Sequence, residues 1–284
     1  VSSQTGANAY NGDGWGYQFN ADGGMKLGRD GYIHLSGQVY HTDHMVALTT
    51  AHGMMGSWPA GADSSGYYAG VVPGAKANTG KVNNYTNTPE ETRENLAITF
   101  GKPITDKLEF YGQIMYAHRH AEILEGYEYP DTDWPSAAIQ KFSGGVEPIT
   151  QIDENDYSAT LGLKGQRMLG FDWDLSTTYG ADSDRIAEKD SVNLGLLSST
   201  CVANDPTAPR YSAIGCGSSP SSFYDYTEKN SQWTNNLDIR RRFMVGHSFP
   251  INLSFGAEER MDEYELVSGQ PDSYQTGGPE GHAG

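Results

Sequence analysis

The feature that most constrains this chain is a period-two alternation of apolar and polar residues that recurs about eight times. The connections between these stretches alternate between very short and very long. In "GYIHLSGQVYHTD", Ile33, Leu35, Gly37 and Val39 fall on one face, and His34, Ser36, Gln38 and Tyr40 on the other. Side chains of a strand point alternately to opposite faces, so this pattern reads as a two-faced β-strand. The first stretch runs from Trp15 to Leu27 and turns through "GRDG" (Gly28 to Gly31) into the second, which ends near Asp43. A region of about fifty residues, 43 to 92, then shows no sustained period and reads as a long loop.

The same unit repeats three times. "NLAITFG" and "LEFYGQIMYAHR" are joined by "KPITDK", and a long loop over about 120 to 154 follows. "DYSATLGLK" and "FDWDLSTTYG" are joined by "GQRMLG", followed by a loop over about 181 to 231. "WTNNLDIRRRF", less regular, and "INLSFGAEERMDEY" complete the set. Loops beyond about 15 residues are uncommon in compact soluble domains. Short turns at one rim and long loops at the other characterise outer-membrane barrels, whose outward face meets lipid while the other lines a wet lumen. Asp172 and Asp174, alternating with Phe171, Trp173 and Leu175, suit a wet lumen better than a dry core. Trp15, Tyr17, Tyr116 and Tyr179 gather toward the long-loop ends of the apolar face, and Phe100, Phe110 and Phe171 toward the short turns, as in an aromatic girdle. The expectation is an all-β, antiparallel transmembrane barrel segment, favoured over a soluble β-sandwich.

Composition excludes several alternatives. No run of about 18 apolar residues is present, so no transmembrane helix is expected. The opening "VSSQTGANAYNGDG" has no signal-peptide pattern. The net charge is −17, with 36 acidic residues against 19 Lys and Arg, which argues against a nucleic-acid partner. The acidity suits solvated loops, with cation binding as the sharper alternative. Cys201 and Cys216, the two cysteines, flank a Pro-, Asn- and Asp-containing stretch and suggest a disulfide closing a loop.

Three stretches resemble the barrel domain of TonB-dependent outer-membrane receptors of Gram-negative bacteria: "GWGYQFNADGGMKLGRDGYIHLSGQVYHTD", "DYSATLGLKGQRMLGFDWDLSTTYG" and "FPINLSFGAEERMDEYELVSGQPDSYQTGG". In the last, Phe255, Gly256, Ala257 and Glu258, then Arg260 and Tyr264, then Gly269, Ser273, Tyr274, Gly277 and Gly278 are similar to a strand and glycine-rich loop of that family. The resemblance implies a 22-stranded barrel with a plug, importing a scarce ligand with energy from an inner-membrane complex. It also implies a setting among outer-membrane lipid and lipopolysaccharide. No plug or energy-coupling segment is recognisable, so residues 1–284 are expected to form a partial barrel domain. Coupling to the TonB complex would then run through a plug not present in this chain. A passive porin or small structural barrel is the alternative.

No catalytic motif stands out: there is no G-x-S-x-G, no H-E-x-x-H and no phosphate loop. The expectation is a non-enzyme without a cofactor, and no Ser/His pair for an outer-membrane hydrolase can be placed. Ligand contacts are expected from loop aromatics in polar contexts, Trp58, Tyr67, Tyr68, Tyr85, Tyr127 and Trp134, whose rings stack on sugars or chelates. Arg93 and Arg119 near the outer rim suit an anionic group. His118 and His120, two apart on one face, are weak metal candidates, and His41, His44 and His52 cluster where the first long loop begins. Asp131, Asp133, Asp153, Glu154 and Asp156 make the second loop acidic. The resemblance implies a small-molecule or metal-chelate ligand, which the sequence does not identify further.

Overall fold

The computed structural model of the chain describes residues 1–7, 14–44, 49–50, 81–82, 88–128, 130, 134–168, 170–197, 217–246 and 249–274. The chain forms one nine-stranded antiparallel sheet: β1 (Ser2–Gly6), β2 (Gly16–Leu27), β3 (Gly31–Thr42), β6 (Glu90–Thr105), β7 (Leu108–Leu124), β8 (Ile149–Met168), β9 (Phe171–Lys189), β10 (Ser222–Val245) and β11 (Phe249–Ser268). Strand order in the sheet follows chain order, so every pairing is between sequence neighbours. The two-residue strands β4 (Thr49–Thr50) and β5 (Lys81–Val82) pair separately. No described helix is long and apolar enough to cross a membrane.

The sheet is open. Among the described residues, β1 pairs only with β2 and β11 only with β10, and the two do not meet. It therefore corrects the strand count: β1 adds a ninth strand that five polar and small residues gave no reason to expect. It also shortens the expected loops, because strands run on where the apolar alternation stops. β7 continues to Leu124, β8 begins at Ile149, β9 continues to Lys189 and β10 begins at Ser222. Asp153, Glu154 and Asp156 therefore belong to β8 and not to a loop. The backbone ladder persists there because directly opposed polar side chains replace the apolar ones, such as Arg119 with Glu154 and His120 with Asp153. Likewise β10, expected to be irregular, is the longest strand at 24 residues, with a bulge between Tyr224 and Tyr226.

Register fixes how the strands lean. One row of directly opposed residues runs Met25, Ile33, Phe100, Gly112, Leu161, Thr177, Asn235, Glu259 across eight strands. The β2–β3 turn begins after Leu27, two residues past this row, and the β10–β11 turn begins after Val245, ten residues past it. The short-turn rim thus slides by eight residues over six strand steps. At about 3.3 Å per residue and 4.8 Å per strand, the strands lean about 40° from the perpendicular to that rim. Closed barrels need a tilt of this size, typically about 35–45°.

Close packing within the sheet uses glycines as sockets. Phe100 lies over Gly112 and Tyr111 over Gly162, on opposite faces, and any Cβ at either glycine would collide with the ring. Three short helices lie at the long-loop rim, α1 (Ser136–Lys141), α2 (Leu194–Leu197) and α3 (Pro271–Tyr274), and the first two with their flanks form a separate small core. Trp134, Ala138, Ile139, Val146, Val192 and Leu197 are buried together there, with Phe142 and Leu194 packed against them.

Candidate functional site

The two faces of the sheet differ sharply. On one face, the side chains of Tyr17, Phe19, Leu35, Leu96, Ile114, Tyr116, Tyr157, Leu161, Leu175, Tyr179, Trp233, Ile251, Leu253 and Phe255 are all exposed, Trp233 at 51% and Leu161 at 44%. On β2 this apolar stretch runs from Tyr17 to Leu27, about 33 Å along the strand and about 25 Å in height at the observed tilt. Its position slides with the rim. The row that begins with Tyr17 carries His120, Asp153 and Arg185 on β7 to β9, and the row with Tyr116 and Tyr157 reaches Glu263 on β11. The apolar band is therefore level with the short-turn rim, not with the rows of the sheet. Tyr116 and Tyr179, expected at the long-loop ends, mark its upper limit in mid-strand together with Tyr157 and Trp233, since the strands continue beyond them.

The other face is predominantly polar. An amide ladder links strands β1, β2, β3 and β6. Asn20 Nδ2 donates to Ser2 Oγ (3.2 Å), Gln38 Nε2 to Asn20 Oδ1 (2.7 Å) and Asn95 Nδ2 to Gln38 Oε1 (2.9 Å). Thr160 and Thr178 share a hydroxyl bond of 2.9 Å, and Tyr111 donates to Asp174 at 2.7 Å. Beyond the aromatic limit, one row places Arg93, Arg119, Glu154, Asp184 and Glu228 side by side on five strands. Arg119 Nε holds Glu154 at 2.5 Å, and Arg93 holds Glu91 at 2.5 Å while covering the Tyr40 ring at 5.1 Å.

The sequence-selected residues distribute unevenly. Arg93 and Arg119 are brought together as directly opposed residues on the polar face, each already paired with a carboxylate. Tyr127 and Trp134 are buried and not exposed as expected: Trp134 belongs to the helical core, and the Tyr127 hydroxyl donates to the Gly144 carbonyl. Helix α1, too short to show a period, supplies the apolar surface that covers Trp134. Trp58, Tyr67, Tyr68, Tyr85, His52, Asp131, Asp133, Cys201 and Cys216 lie outside the described residues. His118 and His120 do share the apolar-side face, beyond its band, and His120 Nδ1 sits 2.7 Å from Asp153.

Among the described residues, two groups bring three metal-capable donors within 4.8 Å of one another: His44, Glu90 and Glu122, and Glu154, Asp182 and Asp184. In the first, Lys189 Nζ lies 2.6 Å from both Glu122 oxygens, and Gln151 donates at 2.8 Å. Burial raises the Glu122 carboxyl, but these hydrogen bonds outweigh it and hold the group below the usual glutamate range. His44 Nδ1 accepts the Glu90 N–H at 3.1 Å, so the neutral ring carries its proton on Nε2, facing Glu90. That nitrogen would have to lose its proton to bind a metal. The group reads as an ion-pair network. In the second, Asp182 and Asp184 each keep a buried oxygen without a partner. Burial, followed by the charges of Asp182 and Glu154, pushes Asp184 up to about 6. Pattern reading missed Asp182, Asp184 and Glu228 because all three lie in the extensions of β9 and β10; continuing the two-residue period past Tyr179 would have found the first two. Neither a protein-family model nor a curated protein matches the chain.

Proposed function

We propose that the chain is part of an outer-membrane β-barrel of the TonB-dependent receptor type. In this reading it binds a scarce extracellular ligand at its long-loop side and admits it along the polar face when a plug moves. The observation that carries the reading is the exposed apolar band. It is about 25 Å high, close to the lipid-facing band of outer-membrane barrels, and it tracks the short-turn rim across strands leaning about 40°. A soluble sheet gains nothing by exposing such a band, whereas a lipid-facing one must. The polar face then lines a wet passage, where paired charges such as Arg119–Glu154 and Lys164–Asp174 remain hydrated. The long-loop side is stiffened by the helical core around Trp134, which gives a ligand a formed surface. The mechanism is binding and gating, with no covalent step. A small molecule or metal chelate is the ligand class, and lipopolysaccharide surrounds the upper band.

Two measurements on the full-length protein test this. Outer-membrane fractionation and protease protection in vesicles report whether it inserts, and a protein found wholly in the soluble fraction refutes the membrane reading. Conductance in a planar lipid bilayer then separates the two transport classes. A plugged receptor gives no steady conductance in potassium chloride, and a steady ohmic current establishes the passive porin instead.

A further inference from the structure

The turn-side part of the apolar band holds a cation in an unusual setting, with Phe243 and Val245 beyond it on the same face. Arg241 lies on β10 with its side chain on the exposed apolar face, directly opposite Leu253 of β11 and in line with Ile239 and Phe243. Its guanidinium carbon is 4.9 Å from the Phe171 ring centroid and 4.7 Å from that of Phe243. It forms no ion pair or side-chain hydrogen bond with a described residue. The outward cations beyond the other margin are different. Arg185 is 3.7 Å from Asp153, Lys189 is 2.6 Å from Glu122 and Lys229 is 3.1 Å from Glu265. On the long-loop side the chain supplies its own anions; at Arg241 it supplies two aromatic faces.

Aromatic faces hold a guanidinium in place without consuming its N–H donors, which leaves the planar fork free for an oxyanion. An outward arginine among apolar residues is costly in hydrocarbon and is tolerated where it reaches the headgroup level. Arg241 stands beside the β8–β9 turn, next to Gly170, level with the start of β9; β10 runs four residues further, to Val245. We propose that Arg241, clamped between Phe171 and Phe243, is a binding site for the phosphodiester of a glycerophospholipid in the leaflet on the short-turn side. Two parallel N–H···O bonds to one phosphate would anchor the sheet at a fixed depth. This rests on the membrane reading above.

The test uses full-length protein, delipidated in detergent and titrated with phosphatidylglycerol, diacylglycerol of the same acyl chains, or inorganic phosphate, with bound molecules counted by native mass spectrometry. Protease protection in vesicles scores insertion separately. Wild type should retain phosphatidylglycerol over diacylglycerol, and Arg241→Gln should weaken that retention about ten-fold. Arg242→Gln, one residue along on the opposite face, should leave it unchanged. Arg241→Lys keeps the charge but loses the planar fork, so intermediate retention is expected; it supplies the comparison should the glutamine variant fail to insert. Equal retention by wild type and both Arg241 variants, with all inserted, overturns the site and leaves the membrane reading standing. Inorganic phosphate bound as well as the lipid overturns the lipid as ligand. A wild type that does not insert overturns both.

Discussion

Arginine substitution at two adjacent positions of β8 sets the two faces of the sheet against each other. Leu161 projects from the middle of the exposed apolar band, over Gly112, while Thr160 projects into the polar face and shares its hydroxyl with Thr178. An arginine facing lipid near the midplane costs about 2–4 kcal/mol. Replacing Thr160 loses one hydrogen bond, about 1 kcal/mol, and puts the new charge on the polar face between Gln113 and Thr178. Leu161→Arg should therefore destabilise the inserted protein by about 2 kcal/mol more than Thr160→Arg, roughly a thirty-fold difference in the folding equilibrium. Denaturant titration of the full-length protein in phosphatidylcholine vesicles, followed by tryptophan fluorescence, reads this directly. If Thr160→Arg costs as much as Leu161→Arg, the apolar face does not meet lipid and the assignment of faces is wrong.

The sockets, the helical core and one titrating group give further tests. Gly162→Ala would drive a methyl into the Tyr111 ring and should cost about 1–3 kcal/mol, a loss that Tyr111→Ala relieves in the double variant measured by the same titration. Trp134→Ala empties a site only 8% exposed and should cost about 3–5 kcal/mol, confined to the helical core. Hydrogen exchange should speed up at Val192 to Leu197 and stay unchanged in β2 and β3. Asp225, at the long-loop end of β10, is pushed up to about 6 by burial and then by the Glu188 charge. An acid with a raised folded pKa contributes most when protonated, so this contribution is lost as pH rises from the ordinary aspartate range through about 6. Asp225→Asn should flatten the pH dependence of exchange around Gly269 and Gln270, whose N–H groups bond to the Asp225 and Tyr224 carbonyls.

Much of the sheet was legible because its instructions are local. The turns at Gly28 to Gly31 and at "GQRMLG" (Gly165 to Gly170), and the faces of β2, β3, β7, β8 and β9, follow from alternation and glycine placement alone. Strand extensions were not legible, because there the ladder is held by polar pairs such as His120–Asp153 that resemble loop sequence. β1 was not legible because Ser2–Gly6 has no apolar face, and its register depends on Asn20 reaching Ser2. The candidate residues divided for the same reason. Arg93 and Arg119 lie where the period places them, opposed on one face. The burial of Trp134 depends on Val192 and Leu197, more than fifty residues away, which no local pattern reports.

The coincidence of strand order with chain order has a kinetic consequence. The two strands of each short-turn hairpin pair from residues close in sequence, whereas joining one hairpin to the next closes the long connections between β3 and β6, β7 and β8, and β9 and β10. Hairpin formation is therefore the fast step and hairpin-to-hairpin pairing the slower one. Among the described residues, Ala21 to Leu27 on β2 and Phe249 to Val267 on β11 have no strand partner on one side. Until something covers or joins them, these edges are the surfaces through which such a chain aggregates.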